Sequence, residues 1–244
     1  MLILVDLGQV FWTNFYGSKS ALNGYELTLD KVDFYRREYP RTVICADSPV
    51  SKRKQIYAEY KANRLPKPED ALDALRAIQD RMSSWGVPVV QCEGYESDDL
   101  IGGLVKQAWP EEVQILGSEK DLYCLISDTV KLIGKSGLLG SNECFERWGV
   151  LPGQMTEWLA LVGDTSDNIP GCPHCGPGRA TDLLERFETI PGILAATDEE
   201  IRSVRGIGPK TLASLREWDP ALALRLVQLL DDAPVELEAL WRQP

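Results

Sequence analysis

The sequence predicts an α/β protein: a mostly parallel sheet flanked by helices, followed by a helical region. Two observations carry this. Short apolar runs alternate with longer amphipathic ones over residues 1–150, and strand-like runs stop over 151–244. Leu2–Val5, Thr42–Ala46, Val87–Val90, Val113–Leu116 and Val130–Ile133 read as buried strands. Pro68–Trp85 reads as a helix, with Pro68 at its first turn, Glu69 and Asp70 beside it, and Leu72, Leu75, Ile78 and Met82 on one side. Glu96–Ala108 reads as a second helix, buried through Leu100, Ile101, Leu104 and Val105. Beyond residue 150, helical segments fall near 152–162, 178–187, 197–203, 209–217, 220–231 and 234–242, broken by Gly and Pro.

With 44% hydrophobic residues among 244, the chain can bury a sizeable core, and no apolar run reaches membrane-spanning length. The N-terminus enters a strand at once and has no basic leader, so a cytoplasmic protein is expected. Cys45, Cys92, Cys124, Cys144, Cys172 and Cys175 are scattered, which suits reduced core thiols and not a disulfide framework. A net charge of −11 argues against a nucleic-acid partner unless the acids cluster around cations and the basic residues gather elsewhere.

The acids do cluster. Asp6 follows the first strand, Asp47 follows the second, and Glu119 and Asp121 follow Val113–Leu116. In a parallel sheet the carboxyl ends of neighbouring strands open into one crevice. Glu96, Asp98 and Asp99 open the second helix, and Asp164 and Asp167 follow the apolar helix ending at Val162. Crowded carboxylates raise one another's pKa unless cations compensate. With a single His in the chain, an all-oxygen donor set favours two Mg²⁺ ions, with Mn²⁺ as a substitute, over Zn²⁺. Two such ions suit phosphodiester hydrolysis.

These residues resemble a known family. Asp6, Tyr60-Lys61-Ala62-Asn63-Arg64, Gly94-Tyr95-Glu96-Ser97-Asp98-Asp99-Leu100, Lys120-Asp121-Leu122-Tyr123 and Gly163-Asp164-Thr165-Ser166-Asp167-Asn168-Ile169-Pro170-Gly171 are similar, in order, to the signature blocks of the 5′-nucleases. That family comprises flap endonucleases, phage 5′–3′ exonucleases and the 5′-nuclease domain of bacterial family A DNA polymerases. The resemblance implies a PIN-like domain over 1–150 with a helical arch at about 51–85, then a helix–three-turn–helix domain over 151–244. It implies metal-ligand positions at Asp6, Asp47, Glu96, Asp98, Asp99, Glu119, Asp121, Asp164 and Asp167, with Asp121 essential for cutting. Glu119 stands where the family usually has Asp, and its longer arm would shift an ion or admit a water.

The basic residues gather too. Lys52, Arg53, Lys54, Lys61, Arg64 and Lys67 fall within sixteen residues, opposed only by Glu59. Cations interleaved with Tyr57 and Tyr60 suit a single-strand path, and the bland alternative is a solvated basic helix. By resemblance Lys61 and Arg64 contact the scissile phosphate and stabilise transition-state charge, while Tyr60 stacks on a terminal base. The stretch from Lys61 to Tyr95 is short for an arch, so a small clamp is expected.

Gly206-Ile207-Gly208-Pro209-Lys210-Thr211 is a helix–hairpin–helix pattern, in which glycines let backbone N–H groups approach a phosphate. Gly171–Arg179 occupies the position of the family's first hairpin. There His174 replaces a usual Gly and Gly178 a usual Lys, which leaves Gly176 and Gly178 to make the turn and Arg179 to supply the cation. The family implies a K⁺ site at this hairpin. Cys172-Pro173-His174-Cys175 lacks a fourth ligand nearby, so no zinc is expected.

The expected partner is DNA with a free 5′ end, flap or nick, bound by a monomer in a bacterial or phage-infected cell, with no membrane involved. Because the chain ends at Pro244, any polymerase is expected to be a separate protein. The alternatives are a PIN-class ribonuclease, against which the duplex-gripping hairpin stands, and a non-cutting DNA-binding scaffold, favoured only by Glu119.

Overall fold

The computed structural model describes residues 1–242, so Gln243 and Pro244, the end of the expected helical region, lie outside the described residues. The chain forms two compact units. The first holds Met1–Lys52, Leu65–Gly140 and the tail from Leu229. Its elements begin with β1 (Leu2–Asp6), α1 (Leu7–Ser18), α2 (Ala21–Glu38) and β2 (Thr42–Cys45). A short helix, α3 (Lys52–Ile56), leads into the second unit. Then come α4 (Glu69–Ser84), β3 (Val89–Val90), α5 (Ser97–Ala108), β4 (Val113–Leu116), β5 (Val130–Gly134) and β6 (Gly137–Leu139).

The six strands lie in the order β3-β2-β1-β4-β5-β6. All pairings are parallel except β5 with β6. The β1 strand is wholly buried, as a Leu-Ile-Leu-Val run covered on both faces must be. Its neighbours are β2 on one side and β4 on the other, so the chain reverses its winding direction at β1 and leaves a crevice at its carboxyl end. Ile3, Val5 and Ile44 face one side and pack with Val10 and Phe11 of α1, Val32 of α2, and Ile78 and Met82 of α4. Strand periodicity turns Leu2 and Leu4 to the other side. The α5 helix packs against β1, β2 and β4.

Local chemistry explains the boundaries. Asp6 ends β1 and caps α1 in one step, accepting the Gln9 N–H. Pro68 sits at the N-cap of α4, and Glu96 with Asp99 forms a capping box on α5. The third strand is shorter than the Val87–Val90 run predicts, because Gly86 turns at φ 73° and the Val87 N–H closes onto Met82. One strand is absent from the sequence expectation: β6 folds back on β5 through the two-residue turn Lys135-Ser136, with Gly137 at φ 128°.

The second unit holds Arg53–Arg64 and Ser141–Gln228. It contains α6 (Ser141–Trp148), α7 (Met155–Val162), α8 (Pro177–Phe187), α9 (Ile190–Ala195), α10 (Asp198–Ser203), α11 (Pro209–Glu217) and α12 (Ala221–Val227). Leu159, Leu161, Leu183, Leu184, Ile193, Ile201, Leu215 and Leu226 are buried in it. The helix expected over 220–231 stops at Val227. Arg53, buried at 2% exposure, donates to the Leu226 and Gln228 carbonyls at 2.9 and 3.0 Å and closes the helix end. The segment expected as a helix over 234–242 is a single 3-10 turn, Leu237–Trp241, within the first unit.

Candidate metal centre and nucleic-acid interface

In the first unit the sheet topology delivers Asp6, Asp47 and Glu119 to the carboxyl ends of β1, β2 and β4. Asp6 Oδ1 accepts from the Gln9 N–H at 3.0 Å and from the Ser97 hydroxyl at 2.9 Å. The Ser97 N–H donates to Asp47 Oδ1 at 2.9 Å, so one serine at the start of α5 holds both aspartates. Burial, then the charges of Asp47 and Glu119, push the Asp6 carboxyl up to about 7. Asp47 and Glu119 are exposed, and Asp121 follows on the 3-10 turn Lys120–Leu125. Glycines permit the crowding. A Cβ on Gly8 would stand 3.0 Å from Asp47 Oδ2 and 3.6 Å from Asp6 Oδ1, and one on Gly117 would stand 3.0 Å from Asp6 Cβ.

Among the described residues, no three His, Cys, Asp or Glu side chains form a group able to hold a metal ion unaided. Of the nine expected acids, seven belong to the first unit and two, Asp164 and Asp167, to the second. What the fold does bring together is a desolvated carboxylate, a second carboxylate sharing its hydrogen-bond donor, and the negative field of a third. Such an all-oxygen set fits a hard divalent cation that keeps several of its waters, as Mg²⁺ does.

Asp99 departs from its expected role. It is wholly buried, and its two oxygens accept the Glu96 N–H at 3.0 Å and the Leu230 N–H at 2.8 Å. It closes the capping box and pins the C-terminal tail. Glu96 is itself the N-cap residue, and Asp98 Oδ1 accepts the Asp99 N–H at 2.8 Å.

In the second unit, Asp164 and Asp167 lie on a loop closed by the Asp164–Ile169 bridge. Asp164 Oδ1 accepts from the N–H and hydroxyl of Ser166 at 2.8 and 2.7 Å. The segment 59–64 is stitched to this loop. The Lys61 N–H donates to the Asp167 carbonyl at 2.8 Å, Asn63 to the Thr165 carbonyl at 2.7 Å, and Asn168 to the Glu59 carbonyl at 2.8 Å. Arg64 is ion-paired with Asp167, and Lys61 Nζ lies 3.7 Å from its Oδ2. The two expected transition-state cations thus already face a carboxylate.

Three of the expected DNA contacts are redirected. Arg53 is buried and committed to backbone carbonyls, so it has no face for a phosphate. Tyr60 is 2% exposed, which leaves no free ring face for a terminal base. Lys52 lies 3.7 Å from the Tyr95 ring centroid and 3.6 Å from Asp232 Oδ2, all within the first unit. Lys54, Arg64 and Lys67 stay exposed.

The hairpins are a repeat. His174 and Gly206 adopt φ 62° and 77°. Cys175 and Ile207 follow, buried, then Gly176 and Gly208 as N-caps and Pro177 and Pro209 as first helical residues of α8 and α11. Cys175 donates to the Cys172 carbonyl at 3.1 Å, as Ile207 does to Val204 at 3.2 Å. His174, and not Gly176 or Gly178, therefore makes the left-handed turn, at a cost of roughly 1–2 kcal/mol relative to Gly. Arg179 clasps both hairpins, donating to the Gly206 and His174 carbonyls at 2.7 and 2.8 Å. Lys210 is exposed at the start of α11.

Sequence reasoning passed over Ser97, Gln9, Gly8 and Gly117. Ser97 lay inside a quoted motif, and Gln9 stands three residues after an N-cap acid. The two glycines gave no signal short of the structure.

Comparison with known proteins gives consistent matches. The family described as 5'-3' exonuclease, N-terminal resolvase-like domain matches residues 1–149, and 5'-3' exonuclease, C-terminal SAM fold matches residues 150–242. The thermostable DNA polymerase I of Thermus aquaticus is 35% identical over 258 residues, covering 100% of this chain and 30% of that protein. The 5'-3' exonuclease of Aquifex aeolicus is 30% identical over 208 residues, covering 83% of this chain and 69% of that one. This chain thus spans less than a third of the polymerase's length. Among solved structures, T5 5'-exonuclease with bound zinc superposes with a TM-score of 0.79 at 19% identity, covering 94% of this chain and 89% of that one. The T5 D15 flap endonuclease, in a pseudo-enzyme-product complex with DNA and metal ions, gives 0.76 at 20%, covering 94% and 88%. At these identities the structural likeness concerns the fold.

Proposed function

This chain belongs to the 5′–3′ exonuclease family of phosphodiester hydrolases, and we propose that it cuts DNA near a free 5′ end, nick or flap junction with two divalent ions. The observation that carries this is Asp6, a buried carboxylate at the switch point of the sheet, pushed up to about 7 by its burial and by Asp47 and Glu119. A protein gains nothing in stability from that arrangement, so it points to a cation and to function.

Asp6, Asp47, Glu119 and Asp121 of the first unit, with Asp98 and Glu96 beside them, would hold one part of the cation set, and Asp164 and Asp167 of the second unit another. Two ions, when bound, activate water and balance charge on the leaving oxygen. The protein's own groups supply the rest. Ser97 holds Asp6 and Asp47 in place through its hydroxyl and N–H. Lys61 and Arg64 exchange Asp167 for the scissile phosphate and stabilise charge developing on it. Lys54, Lys67 and Lys210 bind flanking phosphates. The hairpin turns bring α8 and α11 N-termini to a duplex backbone without reading its sequence. The first hairpin is also the proposed K⁺ site.

The test uses 5′-flap DNA, plain duplex and single-stranded RNA, each with Mg²⁺ and with EDTA. EDTA-sensitive cutting at the flap junction is expected. Cutting of RNA alone would favour a ribonuclease, and no cutting of any substrate would leave only a DNA-binding scaffold.

A further inference from the structure

The first hairpin of the second unit carries two cysteines where the second hairpin carries Val204 and Ile207. All four side chains are buried. The backbone is alike in both hairpins: Cys175 donates to the Cys172 carbonyl at 3.1 Å, and Ile207 to the Val204 carbonyl at 3.2 Å. An apolar pair therefore satisfies the packing at this place, and a pair of thiols is not needed to build it. We propose that Cys172 and Cys175 are a redox site: a small hydroperoxide oxidises them to a disulfide, a dithiol reductant restores them, and the closed form loosens the hairpins' grip on DNA. The disulfide stands on the geometry of the turn. Its effect on DNA rests on the reading of the hairpins as a duplex grip.

Cys172-Pro173-His174-Cys175 is a β-turn closed by that 3.1 Å hydrogen bond, with His174 at φ 62°. Such a turn holds its first and last Cα within about 7 Å, and disulfides join Cα atoms roughly 4.4–6.8 Å apart. The two thiols already act on each other. The Cys172 thiol's hydrogen bond holds the Cys175 thiol below its usual range, with burial opposing and the Arg179 guanidinium assisting. Cys175 also stands one residue before Gly176, the N-cap of α8, where the helix dipole favours a thiolate. Cys175 is thus the nucleophile and Cys172 the resolving thiol.

The Cys175 thiolate attacks one oxygen of hydrogen peroxide. The O–O bond breaks, and the departing hydroxide takes up the proton that Cys175 gave up. Cys175 is left as a sulfenic acid. The Cys172 thiol attacks that sulfur, passes its proton to the leaving hydroxyl, and a second water departs as the S–S bond forms. Two thiols and one peroxide give one disulfide and two waters, with two electrons passing from sulfur to oxygen. Burial of both thiols restricts the oxidant to small peroxides. A sulfur–sulfur bond is much shorter than a contact between thiols, so closing it draws Cys175 toward Cys172 and turns the peptide that joins His174 to Cys175. The His174 carbonyl of that peptide anchors the clasp. Arg179 donates to it at 2.8 Å and to the Gly206 carbonyl at 2.7 Å. Turning the His174 carbonyl away unties the first hairpin from the second.

The experiment treats the full chain, in EDTA, with hydrogen peroxide, then alkylates it and maps its cysteines by peptide mass spectrometry. A Cys172–Cys175 disulfide is expected, and dithiothreitol should reverse it. Affinity for nicked duplex DNA, read by fluorescence anisotropy, should fall by about tenfold on oxidation, as loss of one charge-assisted hydrogen bond requires, and return on reduction. The double variant Cys172→Val, Cys175→Ile should show the same affinity with and without peroxide, which separates this pair from the half-buried Cys92 and Cys124. The disulfide is mapped on the parent chain, so that result needs no variant to fold. Sulfinic acid or unmodified thiol at Cys172 and Cys175 in place of the disulfide overturns the proposal. So does a disulfide that leaves DNA affinity unchanged, or an equal loss of affinity in the folded double variant. A reduced chain that binds no DNA removes the nuclease reading, and the disulfide map then decides the redox site alone.

Discussion

Replacing Asp6 with Asn should make the protein more stable and useless as a nuclease. Burial, then the charges of Asp47 and Glu119, push the folded carboxyl up to about 7, against 3.8 in the unfolded chain. Below 3.8 both states hold the proton, and the group costs nothing. Between 3.8 and 7 the unfolded chain ionises while the native state keeps its proton, so stability falls as pH rises. Above 7 both are ionised and the whole penalty is present. At about 1.4 kcal/mol for each pKa unit, the ceiling is about 4 kcal/mol, and relaxation with water entry brings the expected gain nearer 2. Asn keeps an oxygen for the Gln9 N–H and the Ser97 hydroxyl and carries no charge. Urea unfolding followed by circular dichroism in EDTA should show Asp6→Asn more stable than the parent at pH 8 and equal to it near pH 3.5. Added Mg²⁺ should stabilise the parent and not the variant. A variant no more stable at pH 8, or an equal gap at both pH values, would refute the electrostatic reasoning.

Other outcomes follow from the redirected and repeated residues. Arg53→Leu should lower stability by about 2–4 kcal/mol by uncapping α12, while Lys54→Ala should leave the melting temperature alone and reduce the salt slope of DNA binding by about one, read by fluorescence anisotropy. The Cys172 thiol donates to the Pro173 carbonyl at 3.7 Å, and the neighbouring Cys175 thiol together with burial pushes it up, so it stays protonated. The double change Cys172→Val, Cys175→Ile copies the second hairpin and should preserve melting temperature and DNA affinity, a loss of either showing that the thiols do more than pack. Gly8→Ala places a methyl 3.0 Å from Asp47 Oδ2 and should lower kcat in a folded protein. Unchanged kcat would show that Asp47 moves freely or is not needed.

The fold was legible because its strongest signals are local. The strand runs are mostly apolar, and several helix starts carry a capping residue, as at Asp6, Ser20 and Glu96. The β6 strand is short and exposed, so it lacks an apolar run. The segment 53–64 and the tail from Leu229 leave one compact unit for the other, and composition does not change where they cross. For the site, acids at strand ends were readable because parallel topology fixes where those ends meet. Which charged side chain is left for a ligand was not, since that depends on partners far along the chain: Leu230 for Asp99, and Leu226 for Arg53. His174 shows the same limit. Its place in the left-handed turn becomes visible only when the two hairpins are laid over each other.

The most direct measurement is the number of divalent ions the chain binds, by electron paramagnetic resonance of Mn²⁺ with flap cleavage followed in the same samples. The carboxylate centre predicts two tight ions for the parent, fewer and no cleavage for Asp47→Asn, and an unchanged count for Asp99→Asn. Full Mn²⁺ binding and cleavage by Asp47→Asn, or cleavage persisting in EDTA, would contradict it.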